Sequence, residues 1–199
     1  MDTAQLIAVA AALGWASGLR LYAVLFLTGA AGALGLVPLP DGLKVLQSPW
    51  MLGGSGVMLV VEFFADKIPG VDTLWDALHT LVRIPAGAAL AAAVFGGDTA
   101  NWQTIAALLG GTLAASSHAA KATTRAAANT SPEPFSNIGL SLLGDVTVPT
   151  MLWLSWTHPL LFFVALAVAL AIGLALVIVL FRFLRGLVEK LAPRRLGTR

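Results

Sequence analysis

The stretch from residue 160 to residue 181, LLFFVALAVALAIGLALVIVLF, is twenty-two residues long and contains no charged or polar side chain. A helix needs about 20 such residues to cross the hydrocarbon core of a bilayer. The stretch therefore predicts a transmembrane helix over about residues 160–184. The whole chain of 199 residues has the same character, because 58% of it is hydrophobic and 11% charged, whereas soluble domains carry roughly 25% charged residues. The composition indicates an integral membrane protein.

Breaks in the apolar pattern divide the rest of the chain into five further long segments. The run Lys67-Ile68-Pro69-Gly70 is the strongest of these breaks, because proline and glycine together end helices. The predicted spans cover about residues 3–32, 49–66, 72–95, 101–128, 136–156 and 160–184, and residues 41–47 form a short interfacial helix. We therefore expect an all-α integral membrane protein with about six transmembrane helices, folded as a single transmembrane domain over residues 1–199.

The basic residues are concentrated at one end of the chain. Six of the 12 lysines and arginines lie in the last 18 positions, and such clusters stay on the cytoplasmic side. Residues 186–199 are therefore predicted to be a basic cytoplasmic tail, and six spans then place the N-terminus on the same side. Because no basic residue precedes the first apolar run and Arg20 interrupts it, no cleaved signal peptide is expected. The absence of cysteine excludes disulfides and thiolate sites.

Small and aromatic residues indicate how the helices pack and where they end. Gly14 and Gly18 have the small-xxx-small spacing that allows close helix crossing in membranes. Four tryptophans fall near the predicted outer ends of spans, where aromatic residues sit in the membrane interface: Trp50, Trp102, Trp153 and Trp156.

The six spans divide into two halves of three helices, residues 1–96 and 97–185. Because each half has an odd number of spans, the halves would be inverted relative to each other. The second and fifth spans each carry an acid within the helix, Glu62 and Asp145. This weak similarity allows two inverted three-helix repeats, an arrangement that transporters use to form a site at the membrane midplane.

Charged residues recur along single faces of two predicted helices. In the third span the polar residues at offsets of 0, 4, 7 and 11 are Asp72, Asp76, His79 and Arg83. In the fourth span those at offsets of 0, 3, 7 and 11 are His118, Lys121, Arg125 and Asn129. At about 100° per residue each set lies on one face of its helix, and each contains a histidine. Together with residues of the other spans they give twelve candidates for binding an ion or substrate: Arg20, Glu62, Asp66, Asp72, Asp76, His79, Arg83, His118, Lys121, Arg125, Asn129 and Asp145.

Five of these candidates should lie deepest in the membrane: Arg20, Glu62, Arg83, His118 and Asp145. A charge at the bilayer centre costs about 2.5–3.5 kcal/mol on insertion scales, so that such groups face the interior and pair. Two acids and two arginines balance at this depth. We therefore predict that Glu62 and Asp145 each lie within reach of Arg20 or Arg83, and that the two histidine stripes place titratable groups in the same cluster.

The leading functional hypothesis is a small transporter or channel-like protein for an ion, a proton-coupled solute or a polar solute. Glu62, Asp66 and Asp145 would bind a cation or proton, and the basic candidates would balance them or hold an anionic group. The alternative is a structural or scaffold protein in which the same pairs only hold helices together. The lipid bilayer is the expected partner, nucleic acid is not, and a homo-oligomer is left open.

A third hypothesis is a membrane enzyme that acts on a lipid headgroup. Asp72, Asp76 and His79 would then be candidate metal ligands near the cytoplasmic surface. The two hypotheses without an enzymatic activity are preferred. The sequence contains no HExxH zinc motif and no aspartate motif of membrane phospho-alcohol transferases, and the serine of its one protease-like match, Gly53-Gly54-Ser55-Gly56, lies at a different predicted depth from His118. No catalytic residue and no cofactor are predicted.

The charged motifs resemble those of a family of small bacterial multi-pass membrane proteins known only as a domain of unknown function. The matching residues are Gly18-Leu19-Arg20, then Glu62 with Ala65-Asp66-Lys67-Ile68-Pro69 and Asp72, and then His118, Lys121, Arg125, Asn129 and Ser131. Residues 141–145 resemble a further segment, in which Gly144 stands where the family pattern has an acid. The resemblance spans nearly the whole chain and implies a shared fold and a location in the bacterial inner membrane. It implies no activity.

Overall fold

The computed structural model describes residues 1–68, 70–96, 100–130 and 135–191, and within these ranges every regular element is a helix. The elements are α1 (Thr3–Ala33), a 3₁₀ helix (Asp41–Gln47), α2 (Pro49–Ala65), α3 (Val71–Ala93), α4 (Ala100–Ala128), α5 (Phe135–Thr157) and α6 (Pro159–Leu191). The predicted all-α class is confirmed, and the ends of α1 to α5 fall within two residues of the prediction.

The sixth helix differs from its predicted end. It continues to Leu191, so residues 186–191, the first part of the predicted basic tail, are helical. The reason is that the basic residues at this end, such as Arg185, are good helix formers, and Arg185 also pairs with Glu189 one turn later at 2.8 Å. The rest of the predicted tail, residues 192–199, lies outside the described residues.

Three of the described helices are long and apolar enough to cross a membrane. They are α1, α5 and the stretch Pro159–Gly186 of α6, and the 3₁₀ helix with α2 would make a fourth if this pair, bent by 68°, is one broken span. The remaining helices, α3 and α4, carry more charged or neutral polar side chains, which lower their mean hydropathy. The chain is thus an all-helical protein with membrane-spanning character.

Helix α1 is the centre of the bundle and contacts every other helix. Its close approach to α4 depends on glycine, as the small-xxx-small spacing predicts. A Cβ added to Gly14 would lie 2.6 Å from the Cα of Gly110, and one added to Gly18 would lie 2.1 Å from the carbonyl oxygen of Ala114. No real Cβ tolerates such distances, so only glycine lets these two backbones meet.

Helix α6 lies at the periphery, and large apolar side chains along it are exposed, including Val168, Ile172 and Phe181. Trp50, Trp102 and Trp153 are also exposed, with Trp50 91% accessible. Trp156 is not: it is buried in the core, and its carbonyl accepts a hydrogen bond from Gln5 at 2.6 Å. The prediction that Trp156 belongs to an interfacial belt is therefore wrong, because the N-terminal part of α1 packs over it.

The two halves of the chain pack differently. Helix α3 packs broadly against α4, whereas α6, which would be the counterpart of α3, makes only a narrow contact with α1. The inverted repeat therefore stays a prediction from sequence.

Candidate functional site

Ten charged side chains form one continuous network inside the helix bundle. Five are acidic and five basic, so the formal charges balance. The members are Arg20, Glu62, Asp66, Lys67, Asp72, Asp76, Arg83, Lys121, Arg125 and Asp145. They come from α1, from α2 and the turn after it, and from α3, α4 and α5. We call this set the charge network.

One end of the charge network is a pair of very short ion pairs on Arg83. Its Nη2 lies 2.7 Å from Glu62 Oε1 and its Nη1 lies 2.7 Å from Asp76 Oδ1. Arg83 and Glu62 are both inaccessible to solvent. The predicted contact between Glu62 and a deep arginine is confirmed, and Asp76 shares that arginine because it lies two turns earlier on the same face of α3.

The other end centres on Arg20. Its Nη2 lies 3.1 Å from Asp145 Oδ1 and 3.3 Å from Asp66 Oδ2, and it also donates to the hydroxyl and carbonyl oxygens of Ser141. The predicted pairing of Asp145 is thus confirmed as well. Asp145 is the most accessible acid of the charge network, 23% exposed, and it is also paired with Lys67 at 3.4 Å.

The backbone of α1 leaves the helical conformation at Arg20, where φ is −147° and ψ is 83°. Next to this break the carbonyl of Leu19 accepts a hydrogen bond from the ammonium of Lys121 at 3.1 Å. Nonhelical backbone at membrane depth occurs only where protein or a cavity covers it, and here the charge network covers it. The sequence did not predict this break.

Lys121 connects the two ends of the charge network. Its Nζ lies 3.0 Å from Asp76 Oδ1 and 3.1 Å from Asp66 Oδ2. With the carbonyl of Leu19, the ammonium group is therefore surrounded by oxygens from α1, from the end of α2 and from α3. The point at which these three elements meet is therefore a cation site, and the ammonium group of Lys121 occupies it.

Arg125 and Asn129 extend the network from the predicted face of α4. Arg125 lies 3.1 Å from Asp72 Oδ2 and 3.3 Å from Asp66 Oδ2. Asn129 donates to Asp72 at 3.2 Å and to Thr73 at 2.8 Å. Asp72 also accepts from the amides of Gly70 and Thr73, so this carboxylate fixes the start of α3.

The two histidines do not belong to the charge network as predicted. His79 stacks on Trp75 at a centroid distance of 4.0 Å and hydrogen-bonds the hydroxyl of Tyr22 at 3.1 Å. His118 hydrogen-bonds the hydroxyl of Thr80 at 2.7 Å. Helical offsets place both rings on the expected faces, but their hydrogen bonds go to neutral groups: the Trp75 carbonyl and the Tyr22 hydroxyl for His79, and the Thr80 hydroxyl at Nε2 of His118.

The described residues contain no group of three acidic, histidine or cysteine side chains able to hold a metal ion. The three metal ligands proposed for a membrane enzyme do not converge. Asp72 is held by Arg125, and Asp76 by Arg83 and Lys121, while His79 turns to Trp75. This part of the enzyme hypothesis is wrong, because the carboxylates are already neutralised by side-chain cations.

Two crevices run from the apolar outer surface to the charge network. One, of about 300 Å³, lies among α1, α4, α5 and α6 and reaches Arg20, Asp66, Lys121 and Arg125. The other, of about 530 Å³, lies among α1, α2 and α5 and reaches Arg20 and Asp145. The side chains that line both crevices are mostly apolar. Arg20 lies between the crevices and lines each of them.

Sequence reasoning missed four members of the site. Lys67 entered the sequence analysis only as part of a helix breaker and of the family motif, and Ser141 only within a family segment. In the structure Lys67 pairs with Asp145, and Ser141 accepts hydrogen bonds from Arg20. Tyr22 and Thr80 were not singled out, although they are the hydrogen-bond partners of the histidines. Tyr22 is the only tyrosine of the chain, and a lone tyrosine near a deep arginine was the available signal.

Comparison with known proteins places the chain in a family but supplies no activity. No curated protein and no solved structure matches it. The family described as domain of unknown function DUF4126 matches residues 7–179, which include every member of the charge network. The resemblance inferred from the charged motifs is thereby confirmed: the chain belongs to the family of domain of unknown function DUF4126.

Proposed function

We propose that the protein is a small secondary transporter or channel-like protein with six membrane spans, in which the charge network binds an ion, a proton or a polar solute. The main support for the proposal is the break of α1 at Arg20. The nonhelical backbone lies within the charge-balanced network, to which α1, α2 with its following turn, α3, α4 and α5 contribute side chains.

Outward-facing apolar residues support a membrane position for α2, α3 and α4. Helix α3 has its charges inside and exposes Leu74, Leu78 and Leu81, the last 82% accessible, on its outer face. Helix α4 exposes Leu108 and α2 exposes Phe64 in the same way. The 17 residues of α2 reach about 25 Å at 1.5 Å each, close to the hydrocarbon thickness of about 30 Å. Mean hydropathy underestimates the ability of such helices to span a membrane, because it counts buried charged side chains as if they faced lipid.

With six spans and a basic C-terminal end, we expect both termini on the cytoplasmic side of a bacterial inner membrane. Fusions of a reporter that is active only in the cytoplasm should therefore be active at both ends of the chain. A reporter inserted at Gly42, in the 3₁₀ helix, should be inactive. Activity at one terminus alone would remove the six-span topology.

The broken helix supports transport in two ways. Discontinuous helices in transporters expose carbonyl oxygens that coordinate cations, and the Leu19 carbonyl here already binds the ammonium of Lys121. A solute cation could replace that ammonium among the same oxygens, from Leu19, Asp66 and Asp76. Asp145, at the edge of the charge network, is accessible enough to exchange a proton or ion with the second crevice.

Purified protein in liposomes should dissipate an imposed pH gradient faster than empty liposomes do. Asp145→Asn is expected to remove most of this flux, because it takes away the exchangeable carboxylate. It should leave the fold intact, since Arg20 keeps Asp66 as a partner. The flux is followed with an internal pH-sensitive dye, and melting curves check the fold.

Asp41→Asn is the matched control, because Asp41 lies on the surface and pairs only with Lys44 among the described residues. It should leave the flux unchanged. Equal flux for Asp145→Asn and wild type would contradict a role for Asp145. Absence of wild-type flux over a panel of protons, sodium, potassium and polar solutes would contradict transport itself.

A structural scaffold is the second candidate, and the complete pairing of the charge network favours it. All ten charged groups have an ion-pair partner, and the formal charges balance. Glu62 lines neither of the two crevices. A scaffold would show large stability losses for changes in the charge network and no gradient-dependent flux.

A further inference from the structure

Helices α5 and α6 separate from each other away from the turn that joins them. They meet at His158, but the 300 Å³ crevice is lined by residues 140–147 of α5 and 169–176 of α6, about ten residues or 15 Å from that turn. At its mouth Leu143 and Ile172 are more than half exposed. The crevice therefore opens sideways on an apolar surface, where acyl chains are the solvent.

Glycines keep this crevice open. Gly173 of α6 faces α4, and a Cβ added to it would lie 3.4 Å from the Cβ of Ala120. Gly144 of α5 lies over Arg20, and its added Cβ would be 3.3 Å from Arg20 Nε. Larger side chains at these positions would fill the path from the lipid-facing mouth to the charged inner end.

The inner end of the crevice is lined by more cations than acids, and one arginine nitrogen there has no hydrogen-bond partner among the described residues. Three cations, Arg20, Lys121 and Arg125, line it with one acid, Asp66, and that acid is shared among all three. Arg20 is 98% buried, and its Nη1 has no hydrogen-bond partner in the described structure. A buried donor without a partner is destabilising, and more so when it is charged, so an anionic oxygen that accepts from this nitrogen would be stabilised.

From these features we infer that the crevice between α5 and α6 binds a single-chain anionic amphiphile such as a fatty acid. Its acyl chain lies between Leu143 and Ile172, and its carboxylate accepts from Arg20. The volume lies at the lower end of the range for ligand pockets, about 300–1,000 Å³, which suits one acyl chain better than two. This site requires α5 and α6 to lie in the membrane and does not require transport.

The test uses a palmitic acid analogue with a photoreactive diazirine in its chain, added to the full-length protein in dodecyl maltoside. After irradiation, mass spectrometry should map the label to residues 140–147 or 169–176 of the wild type. Unlabelled palmitate should compete at least tenfold better than hexadecanol, which has the same chain and no charge, and acetate should not compete.

Gly173→Leu fills the crevice, and labelling should fall at least fivefold. Gly139→Leu is the matched control on α5, because a Cβ there meets nothing within 4 Å, and labelling should be unchanged. Label elsewhere on the wild type would overturn the inference even if Gly173→Leu failed to fold. Equal competition by hexadecanol would reduce the crevice to a lipid-filled gap, and full competition by acetate would make it a free-anion site. The labelling test is independent of the proposed transport. If the liposome assay showed no flux of protons or ions, the fatty-acid site could still be present.

Discussion

Arg83→Gln is expected to lower the free energy of unfolding by about 3–5 kcal/mol, the range for breaking a buried ion pair. Arg83 neutralises Glu62 and Asp76 through two contacts of 2.7 Å. Among the described residues Glu62 has no other ion-pair partner, so the substitution leaves a carboxylate with no solvent access and no cation. Asp76 suffers less, because Lys121 still lies 3.0 Å away. Melting curves in detergent measure the loss.

The same substitution at Arg185 provides the control. Arg185 pairs with Glu189 at 2.8 Å, but both side chains are more than 60% exposed, and exposed pairs contribute about 0–1 kcal/mol. Arg185→Gln should therefore leave the melting temperature almost unchanged. Equal losses for the two variants would mean that water reaches Glu62.

A double-mutant cycle tests whether the loss arises from the unpaired carboxylate. Glu62→Gln alone should cost less than Arg83→Gln, because Arg83 keeps Asp76. The double variant Glu62→Gln with Arg83→Gln should be more stable than the sum of the single losses predicts, since neither of these two groups is then left charged without its partner. Strict additivity would show that Glu62 and Arg83 act independently.

The secondary structure and the facing of the charged helices follow from sequence periodicity. The stripe of Asp72, Asp76 and Arg83 points inward as the offsets of a helix require, and the pairing of Glu62 with a deep arginine follows from charge balance in a nonpolar medium. These features depend on local geometry and on the solvent, and both can be read from the chain.

The break at Arg20 and the surroundings of His79 depend on tertiary contacts instead. Arginine is a good helix former, and no proline near Arg20 marks a break. We therefore attribute the nonhelical backbone to tertiary contacts: the Arg20 side chain binds Asp66 and Asp145, and the Leu19 carbonyl accepts from Lys121. His79 lies on the predicted face, but Trp75 is one turn away and stacks on its ring. Sequence offsets along a helix predict the face on which a side chain lies, but they do not predict which residue it contacts.

Lys67, in the turn after α2, is another residue whose contact partners could not be predicted from the sequence. It follows α2 in a segment read as a helix breaker, where a lysine is expected to reach water. Its ammonium instead lies 3.4 Å from Asp145 and 3.1 Å from the ring centroid of Phe63. The end of α2 is therefore bound to α5, which only the assembled bundle reveals.

Gly18→Ala is expected to destabilise the bundle by at least the 1–3 kcal/mol typical of overpacking. The added Cβ would lie 2.1 Å from the Ala114 carbonyl oxygen and from Ser117 Oγ. To relieve the clash, α4 must move away from α1, which would stretch the 2.6 Å hydrogen bond from Ser117 to the Trp15 carbonyl. Because Lys121 is one turn further along α4, its contact with the Leu19 carbonyl should weaken too.

Gly53→Ala is the matched control, because Gly53 lies in α2 and a Cβ there meets nothing within 4 Å. Alanine is favoured over glycine within a helix by about 1 kcal/mol, so this variant should melt at the same temperature as the wild type or higher. Of the two identical substitutions, only Gly18→Ala is thus expected to lower the melting temperature. If Gly18→Ala melted as high as Gly53→Ala, α1 and α4 could not cross at the distance described, and the positioning of Lys121 beside the break in α1 would have to be explained by another contact.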